Sequence, residues 1–419
     1  MSNLLAYQGG NYSTILQKLW FLQKIGANAV HISCPFASAR PRYDHWSGLT
    51  NPYAHGFCPT NFRDLNLRFG SENELRSFVR GCQEAGIKVI GEMTFHFGPG
   101  SSFPVGWATD RKYWCMKVLP RLNLSNPQVR SYVLQTIEWF ADLGFYGLRL
   151  DTAFELPLEF LALVVEAAQR RGLFLVGEVF NGNPQYVQDL PKGIFWTDYP
   201  LNFQLFEVIA GRGAVSKLHD LLSHPYSREC SLATFVSNHD VASMVRECVK
   251  RSSDPDTAIK HARARMLMAL ALIFVVRGVP AIYYLDSWAL SVEGMADPLG
   301  TNRIPTPWGQ RPVLADAISK LTVLRQTRPE FAHGRYVELW LPGPAQVWAF
   351  ARVGRRSTIV LVNNEDHSID LASLGGIDAQ GYLPPGTVRC LVRPGKTFSV
   401  EGGRLYGKLA PRSVYLLGS

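Results

Sequence analysis

Over roughly the first two thirds of the chain, short β-branched runs alternate with amphipathic helical stretches, a rhythm that restricts the fold to βα units around a parallel sheet. Leu75, Phe78, Val79 and Cys82 fall at i, i+3, i+4 and i+7, one face of a helix that leads into a strand at 88–93. Residues 12–25 read as another helix, feeding a strand at 29–33. The helical stretches stop near Gly26, Gly86, Gly144 and Gly172, the residue type that most easily takes the left-handed position after a helix. Further strands are expected at 147–151, 173–178, 194–198, 233–237 and 281–285, with helices such as 127–143 and 257–275 between them. That makes seven strands, whereas a closed (β/α)8 barrel needs eight. Only residues 4–7 remain to supply the first, so that strand is short or missing.

After about residue 330 the pattern changes to short alternating strands, 346–352, 358–363 and 413–417, with Gly and Pro turns and no long helix. The expected architecture is therefore α/β: a (β/α)8 TIM barrel over 1–330, a short excursion after strand three at 97–126, and a C-terminal all-β sandwich at 331–419. A length of 419 residues fits this division, since such a barrel takes about 250 and leaves room for a smaller domain. The sandwich reads first as a cover for barrel helices and second as a ligand-binding surface.

Composition removes several function classes. Apolar residues make up 47% of the chain, but no run of about 18 is free of polar interruption, so no membrane span is expected. The net charge is +9, yet Lys and Arg are dispersed. Their densest stretch, 250–265, reads as a helix with a solvated face and carries no interleaved aromatics, which argues against nucleic acid as a partner. Cys34, Cys58, Cys82, Cys115, Cys230, Cys248 and Cys390 are odd in number, scattered and without a CxxC pair, the pattern of free buried thiols. The first ten residues lack a basic segment followed by an apolar one, so a cytoplasmic enzyme is expected.

Ionisable residues gather at the carboxyl ends of the candidate strands, where barrel enzymes place their chemistry. Arg149 and Asp151 lie two apart on one strand, so both side chains point to one face. An adjacent guanidinium favours an ionised carboxylate, as a nucleophile requires. Glu178 follows five largely apolar residues, and desolvation there would raise its pKa toward that of a general acid. Asp240 closes 234–240 with His239 beside it, and His96 sits at a further strand end. Taken singly, Asp151 with Arg149 also reads as a structural ion pair, Glu178 as a helix cap or salt-bridge partner, and either histidine as a satisfied core residue. Trp46, Trp107, Trp114 and Trp196 read equally as ligand-stacking surfaces and as core. His31 and Cys34 read as packing residues, and Tyr283 and Tyr284 as barrel filling.

Together these residues resemble the α-amylase superfamily, glycoside hydrolase family thirteen, over nearly the whole chain. Residues 92–96, 147–151, 177–180 and 235–240 look like its four signature regions in order. Weaker matches are His55-Gly-Phe57, the Leu-Asn-Leu-Ser-Asn-Pro stretch at 122–127 and the stretch 278–284. The resemblance implies a nucleophile at Asp151, a general acid and base at Glu178, and a sugar-gripping acid at Asp240. It further implies an orienting role for Arg149 and substrate contacts for His239, His96, His55 and Phe57. Retention in such a site asks for about 5 to 5.5 Å between the two carboxyl groups.

The departures from that pattern carry information of their own. The family's structural calcium site draws on an Asn and an Asp at the positions of Phe95 and Arg121, and Glu92 stands where an Asp is usual. A hard cation needs oxygen ligands, so no metal and no cofactor is expected here. Phe154 and Glu155 replace the Lys-His pair that many amylases use beside the leaving group, and Ser237, Leu285 and Ser287 replace a frequent Asp, Gly and Glu. The expected reaction is retaining hydrolysis of α-1,4-glucosidic bonds in maltooligosaccharides or glucans. A 4-α-glucanotransferase or cyclomaltodextrinase-like activity is the alternative, and a non-catalytic binding barrel a further one. Nothing in the sequence specifies an oligomeric state.

Overall fold

The computed structural model describes residues 10–38, 59–97, 102–112, 120–211, 213–290, 306–341 and 346–418. Its centre is a sheet of seven parallel strands in sequential order. They are Ala29–His31, Lys88–Met93, Gly147–Leu150, Phe174–Gly177, Phe195–Thr197, Leu232–Phe235 and Val279–Ala281. Each pairs with the next, and helices fill the crossovers, the arrangement of a TIM barrel wall. Residues 4–7, expected to supply the first strand, lie outside the described residues.

Local chemistry sets the helix ends. The Glu72–Glu84 helix starts on Ser71, whose hydroxyl accepts from the Glu74 N–H while the Glu74 carboxylate accepts from the Ser71 N–H, a reciprocal cap that satisfies two otherwise orphaned donors. Leu75, Phe78, Val79 and Cys82 are its buried face, as the spacing predicts. Gly26, Gly86, Gly144 and Gly172 all have φ between +66° and +84°, the conformation that ends a helix cheaply only without a Cβ.

Three elements differ from the sequence reading. The helix expected at 12–25 is two, Tyr12–Leu16 and Leu19–Lys24, because the Lys18 N–H bonds to the Ile15 carbonyl and the Phe21 N–H to that of Lys18, tightening the turn between them. The last barrel strand lies at Val279–Ala281 rather than 281–285. The Tyr283 N–H is held by the Asp286 carboxylate at 3.0 Å and the Asp286 N–H by the Tyr283 carbonyl at 3.0 Å, which turns the chain out of the sheet. Tyr283 and Tyr284 are buried in that turn with ring centroids 4.4 Å apart.

The basic stretch 250–265 is the third. It divides between the Met244–Lys250 and Pro255–Val275 helices, and its last member is not solvated. Arg265 is buried and donates to the Ile209 carbonyl at 2.6 Å, the Asn364 side chain at 3.0 Å and Asp366 at 3.0 Å. Asn364 in turn donates to the Val208 carbonyl, so a polar knot joins the barrel to the C-terminal strands.

Those strands form two antiparallel four-stranded sheets. In the first, Arg335–Trp340, Val347–Val353, Ser357–Asn363 and Ser413–Gly418 lie side by side. Alternation sends Val347, Ala349 and Ala351 to one side, packed with residues of the second sheet such as Phe398 and Leu405. Trp348 and Phe350 point the other way and join the barrel's own core. Because both faces are covered, the run is apolar throughout rather than alternating. Among the described cysteines, Cys34, Cys82, Cys230, Cys248 and Cys390 are buried free thiols, whereas Cys58 and Cys115 lie outside the described residues. Among the described residues no helix is long and apolar enough to cross a membrane.

Gly147 opens the strand that carries Arg149 and Asp151. A Cβ there would lie 2.2 Å from the Phe174 backbone carbonyl, and neighbouring barrel strands cannot separate without losing their ladder. Gly147→Ala is therefore expected to cost at least about 1–3 kcal/mol, measured as a lower midpoint in urea unfolding. A midpoint equal to that of the unsubstituted protein would contradict the packing described.

Candidate active site

The carboxylates are placed by the barrel ladder itself. The Asp151 N–H continues the pairing onto the Met93 carbonyl at 2.9 Å, and the Glu178 N–H does the same onto Leu150 at 2.9 Å. Both side chains therefore leave neighbouring strands at the same level. Arg149, on the same face as Asp151, reaches between them: Nη1 is 2.6 Å from Asp151 Oδ1 and Nη2 is 2.5 Å from Glu178 Oε1. The guanidinium also pairs with Glu92, whose Cα stands directly across the ladder from that of Arg149.

The remaining oxygens are held from the sides. Glu178 Oε2 accepts from the Thr152 N–H at 2.9 Å, and Thr152 makes that bond from a left-handed conformation, φ +48°, uncommon for a β-branched residue. The Thr94 hydroxyl donates to Asp151 Oδ2 at 3.4 Å and lies 2.8 Å from His96 Nδ1, which is itself 3.8 Å from the same carboxylate oxygen. Asp240 follows the Leu232–Phe235 strand. Its carboxylate is 2.9 Å from His239 Nε2, and the Asn238 side chain accepts from the N–H groups of Asp240 and Val241 while donating to the Tyr199 hydroxyl. Side-chain exposure separates the three acids: 8% for Asp151, 6% for Glu178 and 30% for Asp240.

Charge follows from this crowding. Burial lifts the pKa of Glu178 above the usual carboxylate range; Arg149 opposes the shift, and Asp151 and Asp240 add to it. Asp151 is also raised, by burial against the pull of Arg149. Arg149 is held firmly charged, because its acidic neighbours outweigh its own burial. One cation facing Glu92, Asp151, Glu178 and Asp240 cannot neutralise four ionised acids in a site shielded from water, so protons stay on the cluster at neutral pH.

The structure thus brings together Arg149, Asp151, Glu178 and His96, with Asp240 and His239 alongside. His55 and Phe57 lie outside the described residues, as do Trp46 and Trp114. Trp196 is core, its Nε1 donating to the Pro191 carbonyl at 3.0 Å. Trp107 packs on Tyr132 and Phe103. Sequence reasoning noted Glu92 only as a departure and passed over Thr94, Thr152, Asn238 and Tyr199. The alternation that puts Arg149 and Asp151 on one face also puts Glu92, Thr94 and His96 on one face, a signal available for the first two. Nothing in sequence spacing announces the Thr152 main-chain donor. His31 is buried as a packing residue would be, with Nε2 3.6 Å from Glu92 Oε2.

At the positions where calcium ligands were considered, Phe95 is fully buried with its ring edge-on to Phe160. Arg121 donates to the Glu155 carbonyl at 2.7 Å and faces that residue's carboxylate at 3.6 Å. These residues do not fit a hard cation, and among the described residues no group of three His, Cys, Asp or Glu side chains is arranged to hold a metal.

The family model for the α-amylase catalytic domain matches residues 3–99, a stretch that ends before the three acids. A beta/alpha-amylase of Paenibacillus polymyxa is 25% identical over 97% of this chain and 34% of its own length. A cyclomaltodextrin glucanotransferase of Geobacillus stearothermophilus is 24% identical over 92% of this chain and 58% of its own. The chain thus spans between a third and three fifths of these relatives. The solved α-amylase of Geobacillus thermoleovorans, in complex with acarbose, superposes with a TM-score of 0.83 at 21% identity, covering 99% of this chain and 93% of that one. Family model, relatives and fold all liken the chain to α-amylase-type enzymes.

Proposed function

We propose that this chain is a retaining glycosidase that cleaves α-1,4-glucosidic bonds in maltooligosaccharides or glucans. The observation that carries the reading is the single guanidinium of Arg149 holding Asp151 and Glu178 on its two terminal nitrogens. Double displacement needs two carboxyl groups side by side, about 5 to 5.5 Å apart, one ionised and one protonated. Asp151 attacks the anomeric carbon and forms a β-glucosyl-enzyme while Glu178 gives its proton to the departing oxygen. Glu178 then takes a proton from the water that releases the sugar. Asp240, the most exposed of the three acids, grips hydroxyls of the distorted glucose together with His239 and His96. His55 and Phe57 complete the sugar contacts in this reading. No metal or cofactor enters the scheme. Residues 1–330 form the catalytic unit, and 331–419 cover its helices through the Arg265 knot.

A second reading, transfer of the glucosyl unit to another sugar, is favoured by the several relatives named cyclomaltodextrin glucanotransferases. Incubation with maltotriose separates the two. Hydrolysis gives only shorter products from the outset, whereas maltotetraose and longer chains appearing early would assign transfer. Protein that folds normally yet leaves starch, maltooligosaccharides and an activated aryl maltoside untouched would make the chain a binding barrel instead.

Glu178→Gln is expected to lower turnover of natural glucans by about 10²–10⁴-fold at unchanged circular dichroism; retained turnover would move the acid elsewhere.

The pH profile has a sign set by burial. Because the pKa of Glu178 is raised, the acid stays protonated above the usual carboxylate range, so kcat/KM should persist toward neutral pH and fall as Glu178 ionises. On the acid side the rate should fall as Asp151 takes up a proton. A rate that keeps rising through the alkaline range would rule out Glu178 as the proton donor.

A further inference from the structure

We infer that Glu92 is a positioning residue for this reaction: it anchors Arg149 from the barrel interior and, paired with His31, governs how much of the guanidinium's charge reaches Asp151 and Glu178. The inference rests on the function proposed above and concerns a residue that cannot touch substrate, since Glu92 is 0% exposed.

The geometry is specific. Glu92 and Arg149 are ladder neighbours on the Lys88–Met93 and Gly147–Leu150 strands, and Arg149 Nη1 is shared between Glu92 Oε1 and Asp151 Oδ1. Any movement of the Glu92 carboxyl therefore moves the cation that aligns the nucleophile. Among the described residues Glu92 Oε2 has no hydrogen-bond partner, and neither does His31 Nε2, although the two buried atoms face each other at 3.6 Å. A buried carboxyl oxygen without a donor is costly, and the cost falls if Glu92 carries a proton that His31 can accept. The two side chains come from adjacent strands, Ala29–His31 and Lys88–Met93, so the ladder holds them in register.

The charged and titratable groups around Glu92 come from every neighbouring element: His31 on the first strand, His96 beyond its own, Arg149 and Asp151, then Glu178, and Asp240 with His239. Burial lifts the Glu92 pKa to about 8, against the pull of Arg149 and with the help of the three other acids. His31 is kept neutral by burial and by the charges of Arg149 and His239. At neutral pH Glu92 is then an uncharged acid, and Arg149 acts with its full charge on Asp151 and Glu178. When Glu92 ionises it takes a share of that charge, and the Glu178 proton is held more tightly. Glu92 thus extends the alkaline side of the activity range.

Glu92→Gln keeps the shape and an oxygen for Arg149 but can never ionise. With an activated aryl maltoside, the alkaline limb of kcat/KM should move to lower pH by about one unit, with KM within about twofold of the wild-type value. A second measurement needs no activity. The raised pKa means that folded Glu92 holds its proton where the unfolded chain has lost it, so its stabilising contribution is complete below about pH 4.3. It fades as pH rises through about 8. Between pH 5 and 8 the wild-type Tm should therefore fall more steeply than that of Glu92→Gln. Limbs and Tm slopes that coincide in the two proteins would overturn the inference. Wild-type protein inert toward every glucan and aryl maltoside would instead overturn the proposed function, and the Tm slopes would still decide whether Glu92 is coupled to the cluster. Should Glu92→Gln fail to fold, Glu92→Asp, which withdraws the carboxyl by one methylene, should lower kcat about tenfold at unchanged KM, on the scale of a misaligned group; a wild-type kcat in that variant overturns the positioning role.

Discussion

Among the described residues Arg149 is the one strong cation that meets Glu92, Asp151 and Glu178 together, each through a terminal nitrogen of its guanidinium. Carboxyl groups this deeply buried lose their hydration, and the attraction of a neighbouring guanidinium offsets the loss only when its geometry is fixed. A flexible ammonium would not serve, because a single point charge cannot address three acids from a planar fork. Much else in the barrel follows from keeping that fork in place. Arg149 lies in the middle of a strand whose four residues are all buried, and the Asp151 and Glu178 backbones are tied to the neighbouring strands by ladder hydrogen bonds rather than by loops.

The same requirement explains where the wall of the barrel is tightest. Beside the Gly147 contact with the Phe174 carbonyl, Gly177 lies where a Cβ would come within 2.5 Å of the Trp196 ring. Small residues at these two places let three strands approach closely behind the acids, and Trp196 closes the gap from the far side. Behind the barrel, Trp348 and Phe350 of the C-terminal sheet extend the same apolar core, and Arg265 satisfies carbonyl and carboxylate groups at that junction. The second unit therefore joins the first through packing and buried polar contacts, those of Arg265 and those of Arg328 and Glu330 with the Thr358 hydroxyl.

Much of this was legible in the sequence. The helix face at Leu75, Phe78, Val79 and Cys82, the glycines after the helices and six of the seven strands follow from periodicity and from the special conformation of glycine. The strand at Val279–Ala281 was misplaced because the apolar run continues through Tyr283 and Tyr284, and what ends it is a turn closed by Asp286, a side chain that local periodicity does not weigh. Arg265 closes a basic stretch that reads as a helix with a solvated face; only the fold brings Asn364 and Asp366, 99 and 101 positions away, to meet it. Asp151 and Glu178 were legible as strand-end acids. Glu92 was harder to read: a carboxylate inside an apolar strand contradicts the local pattern, and its partners on the adjacent strands, His31 and Arg149, stand 61 positions before it and 57 after it.

Exposure gives the site a direction. Asp240 is open to solvent at 30%, while Asp151 and Glu178 lie below it at 8% and 6% and Glu92 lies deeper still at 0%. Desolvation therefore increases along the line from Asp240 inward. The buried acids must share the charge of Arg149, so a proton lost by one is felt by the others. Thr152 adds a fixed dipole at one place in this gradient: held at φ +48°, it spends backbone strain to aim an N–H at Glu178 Oε2. That donor favours the ionised form of Glu178, the form that, in the reaction proposed above, has just released its proton to a leaving group and must next accept one from water. Burial favours the protonated form and the strained amide the ionised one, and a group that has to serve as acid and then as base in one turnover is best placed where such opposing influences meet.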